Sequence, residues 1–252
     1  MLRYEDLSTF TDGKRYAAED MAALDTHGCA GCSRCCESDM GDSLVLDPYD
    51  VAELSRATGK SFDELLTGFF IELSLVDGVI LPHIKMNGEK KGCLFLNEEK
   101  RCSVHAHRPS VCRLFPLGRL YEGTGFSYIL QKDECAVTER GDVRIRDWIG
   151  IEPLEEHEAF IRKWHKFLGL QRKRLNEASP ELRHELSKAL LRIFYLTAWE
   201  EDFFSQVPQR MREAGEAFRK LTSEDAERRH EAWMEENGEK IRKVMNEADR
   251  TE

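Results

Sequence analysis

The sequence has no uninterrupted run of about eighteen apolar residues, the least that spans a bilayer as a helix. Its first residues, Met1-Leu2-Arg3-Tyr4-Glu5-Asp6, lack the basic start and apolar stretch of a secretory leader. Both absences point to a cytoplasmic protein with no membrane association. Positive charge is also scarce: 37 Lys and Arg stand against 47 Asp and Glu, for a net charge of −10, and no long basic block occurs. That argues against nucleic acid as a partner, which needs a large cationic footprint. The short run Arg172-Lys173-Arg174 lies among glutamates at helical spacing and reads as a solvated face. No fixed-period repeat or low-complexity stretch occurs, which sets aside solenoids and disordered tails.

Cysteine, by contrast, is concentrated. All eight cysteines fall in the first 135 of 252 residues. A chain of this length buries a core without covalent staples. In a reducing compartment thiols stay free unless a metal holds them, so the cysteines read as metal ligands before disulfides.

Composition divides the chain near Gly150 to Pro153. Residues 1–150 hold every cysteine and most glycines, whereas 151–252 are rich in Glu, Lys, Arg and Leu with helical periodicity. The expected fold class is α+β: a small cysteine-rich metal-binding domain of short strands and helices, followed by a helical region. Asp47-Pro48 starts a helix to about Ala57, and Ser61 with Glu64 forms a capping box for another to about Phe70. Residues 71–85 alternate around Asp77-Gly78, a hairpin turn pair. Further short strands are expected over 93–96 and 126–131. Helices are expected at 154–177, 180–205 and 209–248, the last with a break, and from Thr222 onward the segment is an exposed helix or a frayed tail. Trp164, Phe167, Leu168 and Phe203 read as core.

The strongest motif is His27-Gly28-Cys29-Ala30-Gly31-Cys32-Ser33-Arg34-Cys35-Cys36. Two-residue spacings let successive thiolates converge on one centre. Soft sulfur ligands suit zinc, reduced copper or an iron–sulfur cluster. Cys29, Cys32 and Cys35 follow the start of a bacterial ferredoxin run, but Cys36 follows at once where that run continues differently. Zinc ribbons use two separated pairs, and the adjacency of Cys35 and Cys36 makes it hard to aim both at one ion without strain. Cys93, Cys102, Cys112 and Cys135 complete a set of eight, enough for two four-thiolate sites or one site with helpers.

The order Cys-x-x-Cys-x-x-Cys-Cys, then Gly92-Cys93-Leu94-Phe95-Leu96, then Cys102-x-Val104-His105-x-x-Arg108-Pro109-x-x-Cys112-Arg113-x-Phe115-Pro116 and a last cysteine resembles the YkgJ or CxxCxxCC cysteine-cluster family. The resemblance covers about residues 27–135. It implies zinc or iron chelation. It also implies kinship with flagellin lysine N-methylases, for which an iron–sulfur cluster and S-adenosylmethionine are implicated. No separate glycine-rich methyltransferase signature occurs in this chain.

Within that motif Arg108 and Arg113 are candidates to neutralise an anionic centre and donate to its sulfurs, with Arg119 nearby in sequence. His27, His105 and His107 are possible replacement ligands, although eight thiols suffice. Tyr121 and Tyr128 fit a cleft wall or the core equally. Cys36 or Cys112 as a low-pKa nucleophile beside Arg34 or Arg113 ranks below metal ligation.

Three functions follow. The first is an iron–sulfur protein, with a 4Fe-4S cluster, performing redox or group-transfer chemistry that could draw on S-adenosylmethionine. The second is a structural zinc module whose C-terminal helices meet a protein partner. The third is a metal-handling or metal-sensing protein.

Overall fold

The computed structural model describes residues 7–26, 32–39, 44–87 and 92–248. They form an α+β fold of four two-stranded antiparallel ribbons and a helical C-terminal region. In chain order these elements are α1 (Leu7–Phe10), β1 (Met21–Asp25), α2 (Pro48–Thr58), α3 (Phe62–Thr67), β2 (Ile71–Val76), β3 (Val79–Ile84), β4 (Met86–Asn87) and β5 (Gly92–Cys93). After them come α4 (Ser110–Leu114), β6 (Leu117–Glu122), β7 (Gly125–Leu130), β8 (Gly141–Arg144), α5 (Ile145–Ile149), α6 (Leu154–Glu177), α7 (Pro180–Leu191) and α8 (Phe203–Ala248).

Local chemistry accounts for the element ends. The Asp47 carboxylate accepts the Asp50 amide, the Asp50 carboxylate accepts the Asp47 amide, and Pro48 fills the first turn of α2. Ser61 and Glu64 form the same reciprocal box on α3. Asp77 and Gly78 take φ of +49° and +85°, the two positive values of a tight hairpin turn, and pair Val76 with Val79 across it. The side of β3 away from β2 is also paired, since the Leu46 amide donates to the Pro82 carbonyl and the Ile84 amide to that of Leu44.

One continuous buried cluster runs from Ala22 to Phe218, through both compositional regions. The change in composition near residue 150 is therefore not a gap in packing. Helices α6 and α7 lie against β3, and α8 lies against both of them. Trp164 packs edge-to-face on Phe194 and Phe203 edge-to-face on Phe160, all four buried, with Phe167 against Trp164 and Phe194.

Two helical expectations need correction. The middle helix ends at Leu191, not 205: a π-helical turn, Arg192–Leu196, follows, and the chain then runs without regular structure to α8. The Arg210 guanidinium holds that exit by donating to the carbonyls of Ile193, Thr197 and Ala198. Helix α8 starts at Phe203 and carries Pro208 inside it without a break, its first turn closed by Asp202, which accepts the Ser205 amide. The segment after Thr222 is helix to Ala248. Trp233 and Met234 on it are exposed. Strands β1, β6 and β8 were not anticipated. β1 pairs with β8, from Met21 opposite Arg144 to Asp25 opposite Gly141, and β6 pairs with β7.

Candidate metal centre

The first cysteine segment is shaped by a turn of wide radius. Ser33 takes φ +49°, and its carbonyl accepts the amides of Cys36 and Glu37 as the chain enters the π-helical turn Cys35–Asp39. A π turn rotates less per residue than an α turn, so neighbouring side chains diverge less. The sulfurs of Cys35 and Cys36 lie 4.0 Å apart.

Cys93 and Cys102 close a small knuckle. Cys93 pairs with Met86 across β4 and β5, its carbonyl accepts the Leu96 amide, and Leu96 bridges Cys102. The knuckle is tied to the first segment through Lys100, whose ammonium sits 3.2 Å from Glu37, while Glu37 also accepts the Ser33 hydroxyl. Cys112 is the third residue of α4, and Cys135 lies in the loop between β7 and β8. Strand β5 packs on the π turn.

All seven described cysteines, Cys32, Cys35, Cys36, Cys93, Cys102, Cys112 and Cys135, line one open pocket. None of the seven is in a disulfide. Cys29 and His27 lie outside the described residues. Among the described residues, no three His, Cys, Asp or Glu side chains stand close enough to hold a metal ion as they are. The thiols surround a space and are not gathered on one point.

Burial grades them. It pushes the Cys93 thiol up from 9.0 to about 11, raises Cys102, and raises Cys112 well above the usual range. Each of the three is also raised by Cys35, and Cys112 additionally by Cys93, Cys102 and Asp50. These inner thiols are neutral at pH 7 until a cation displaces their protons. Cys112 is therefore not a low-pKa nucleophile.

The basic residues separate by role. Arg108 lines the pocket and packs its Nη1 against the His105 ring and carbonyl, 3.0 to 3.2 Å away. His105 lines it too, its pKa lowered first by burial and then by Arg108. Arg113 is buried elsewhere. Its guanidinium donates to the carbonyls of Ala106, Arg108, Ile149 and Gly150, and so clamps α4 to the end of α5. Arg119 is away from the thiols, over the Phe126 ring at 5.5 Å and near Asp47 and Tyr128. His107 pairs with Glu53 at 2.9 Å. Tyr128 is core, its hydroxyl donating to Glu158, and Tyr121 stacks on His165 at 3.7 Å.

Spacing and motif reading missed Arg101 and Trp148, which form the wall together with Arg34. Trp148 carried no signal, being one aromatic residue in a short helix. Its indole N–H is buried and has no hydrogen-bond partner. The donor set, the cationic wall and this unpaired N–H together fit an anionic metal–thiolate group: soft sulfur for the metal, guanidiniums for the charge, and a spare donor for sulfur.

Residues 28–139 match the CxxCxxCC family, described as a "Putative zinc- or iron-chelating domain". No match was found among curated proteins or among solved structures. The match spans every cysteine and ends just before β8.

Proposed function

We propose that the CxxCxxCC domain of this chain assembles an iron–sulfur cluster in the thiol-lined pocket and uses it for redox or group-transfer chemistry. The observation that carries the reading is the convergence of seven cysteines, from four separate chain segments, on one space. A single tetrahedral ion takes four ligands, and about 2.3 Å bonds would hold its sulfurs about 3.8 Å apart. Seven thiols spread round a pocket suit a larger, multi-iron guest better. Arg34, Arg101 and Arg108 would offset its negative charge, and Cys93, Cys102 and Cys112 would lose their protons to ligate it. Bound there, the cluster would supply electron transfer or an open iron site. The group-transfer branch draws on the apolar remainder of the pocket, formed by Leu44, Phe95, Phe115 and Val137 among others, as room for S-adenosylmethionine. A calorimetric titration of the loaded protein with that compound tests this branch alone.

One observation favours a zinc reading. The 4.0 Å between the Cys35 and Cys36 sulfurs is close to the edge of a zinc–thiolate tetrahedron. Protein purified without oxygen decides between them. Iron with acid-labile sulfide and broad visible absorption supports the cluster. Colourless protein with stoichiometric zinc replaces it by the structural module, and the C-terminal helices then become the surface to test for a protein partner.

A further inference from the structure

Helix α5 ends on the clamp made by Arg113, and its fourth residue, Trp148, lines the thiol pocket. An indole nitrogen has one hydrogen-bonding capability, as a donor. Leaving such a donor buried and unpaired costs about 1–3 kcal/mol, so native proteins leave few of them. Among the described residues the other buried polar side-chain atoms without partners belong to Arg119, Arg140, His157, Arg172 and Asp225. None of those residues lines the pocket. Trp148 is thus the one place where an unpaired donor and the thiol wall coincide.

We infer that Trp148 donates its indole N–H to a sulfur of the metal–thiolate centre, as a positioning residue that holds and tunes that sulfur. The inference rests on the metal-centre reading above. An N–H···S bond draws electron density from the sulfur, which stabilises the more negative state of the centre and raises its reduction potential. It also fixes the direction from which that sulfur approaches the metal. Removing the donor therefore lowers the potential and weakens metal retention while leaving the metal-free fold untouched or slightly more stable.

The test uses the full chain purified without oxygen. Trp148→Phe removes the donor and some volume; 3-benzothienylalanine at position 148 removes the donor and keeps the ring size. Both are expected to lose metal to a competing chelator about tenfold more readily than the parent chain. A redox-active centre would also show a lower reduction potential in both. Melting of the metal-free benzothienyl form should be no lower than that of the parent. Unchanged retention in the benzothienyl chain overturns the inference, since the N–H then serves a buried water or nothing. An equal loss of melting temperature with and without metal also overturns it, because Trp148 would then be a packing residue. The metal content of the parent chain separately reads the underlying proposal: no iron and no zinc would remove the centre itself, whatever Trp148 does.

Discussion

The Asp50 carboxylate of α2 accepts the backbone amide of Ser110 at 2.6 Å, so the helix that carries Cys112 is capped from a different helix. Pro109, in the capping position of α4, has no side chain able to do this. Asp50 also closes the start of its own helix, which makes one buried carboxylate the common end of α2 and α4. The Ser110 hydroxyl lies 3.1 Å from His157 Nε2.

Replacing Asp50 by alanine leaves two backbone amides, those of Asp47 and Ser110, unanswered in a buried place. The expected loss is about 1–3 kcal/mol in urea denaturation of the metal-free chain. Metal should dialyse out faster as well, because α4 no longer holds Cys112 against the pocket. A wild-type urea midpoint would show that the cap has no energetic weight.

The two motif arginines should separate cleanly. Arg113→Gln removes donors from four carbonyls and is expected to destabilise the fold by about 2–4 kcal/mol with or without metal. Arg108→Gln should cost little stability but weaken metal retention about tenfold, since it removes a cation from the pocket wall. Chelator competition and thermal melts, run on both variants, check the contrast. Identical profiles would contradict the distinction drawn between them.

Metal uptake should depend steeply on pH. Ligation requires thiolates, and burial holds the Cys93 thiol at about 11, so binding releases its proton and apparent affinity rises with pH through neutrality. In the metal-free chain the sign is the reverse. Below about pH 9 the thiol is protonated folded or unfolded; between 9 and about 11 the unfolded chain loses the proton first, and stability falls by about 2 kcal/mol. Cys93→Ser should abolish that share of the alkaline loss, read from urea midpoints at stepped pH.

His157 should produce an acid-side loss. It is fully buried, and desolvation, with Arg119 and Arg113 adding, holds its pKa well below 6.5. Below pH 6.5 the unfolded chain takes up a proton that the folded one refuses, so stability falls by up to about 1.4 kcal/mol per pH unit. Buried Asp47 and Asp50 act with the opposite sign, both raised by burial and favouring the folded state in acid. Comparison with His157→Gln isolates the histidine. The variant keeps an amide able to hydrogen-bond Ser110 and should lose stability less steeply between pH 6.5 and 5.

Much of this molecule was legible in its residues. The Asp47-Pro48 and Ser61/Glu64 helix starts, the Asp77-Gly78 turn and the α6 span depend on chemistry within a few positions, and sequence carries that directly. The middle helix did not follow its apolar stripe, because Arg210, distant in sequence, holds the carbonyls where the chain leaves it. Strands β1 and β8 are short, mixed in polarity and partnered across more than a hundred residues, so no local pattern announced them. At the site, cysteine spacing identified the thiols, but it could not tell a pocket-facing Arg108 from a carbonyl-clamping Arg113. Nor could it find Trp148. Those distinctions depend on where α5 ends relative to α4, which only packing decides.

The ribbon of β1 and β8 has a further consequence. Its last rung sets Asp25 against Gly141, and the CxxCxxCC match, 28–139, falls wholly between those two residues. The cysteine segment therefore leaves and rejoins the rest of the chain at one point, as an insertion does. Its strand β7 is meanwhile laced to residues before β1, the amides and carbonyls of Tyr16 and Tyr128 pairing and the Asp12 amide donating to Leu130, so one seam closes the segment and a second anchors it.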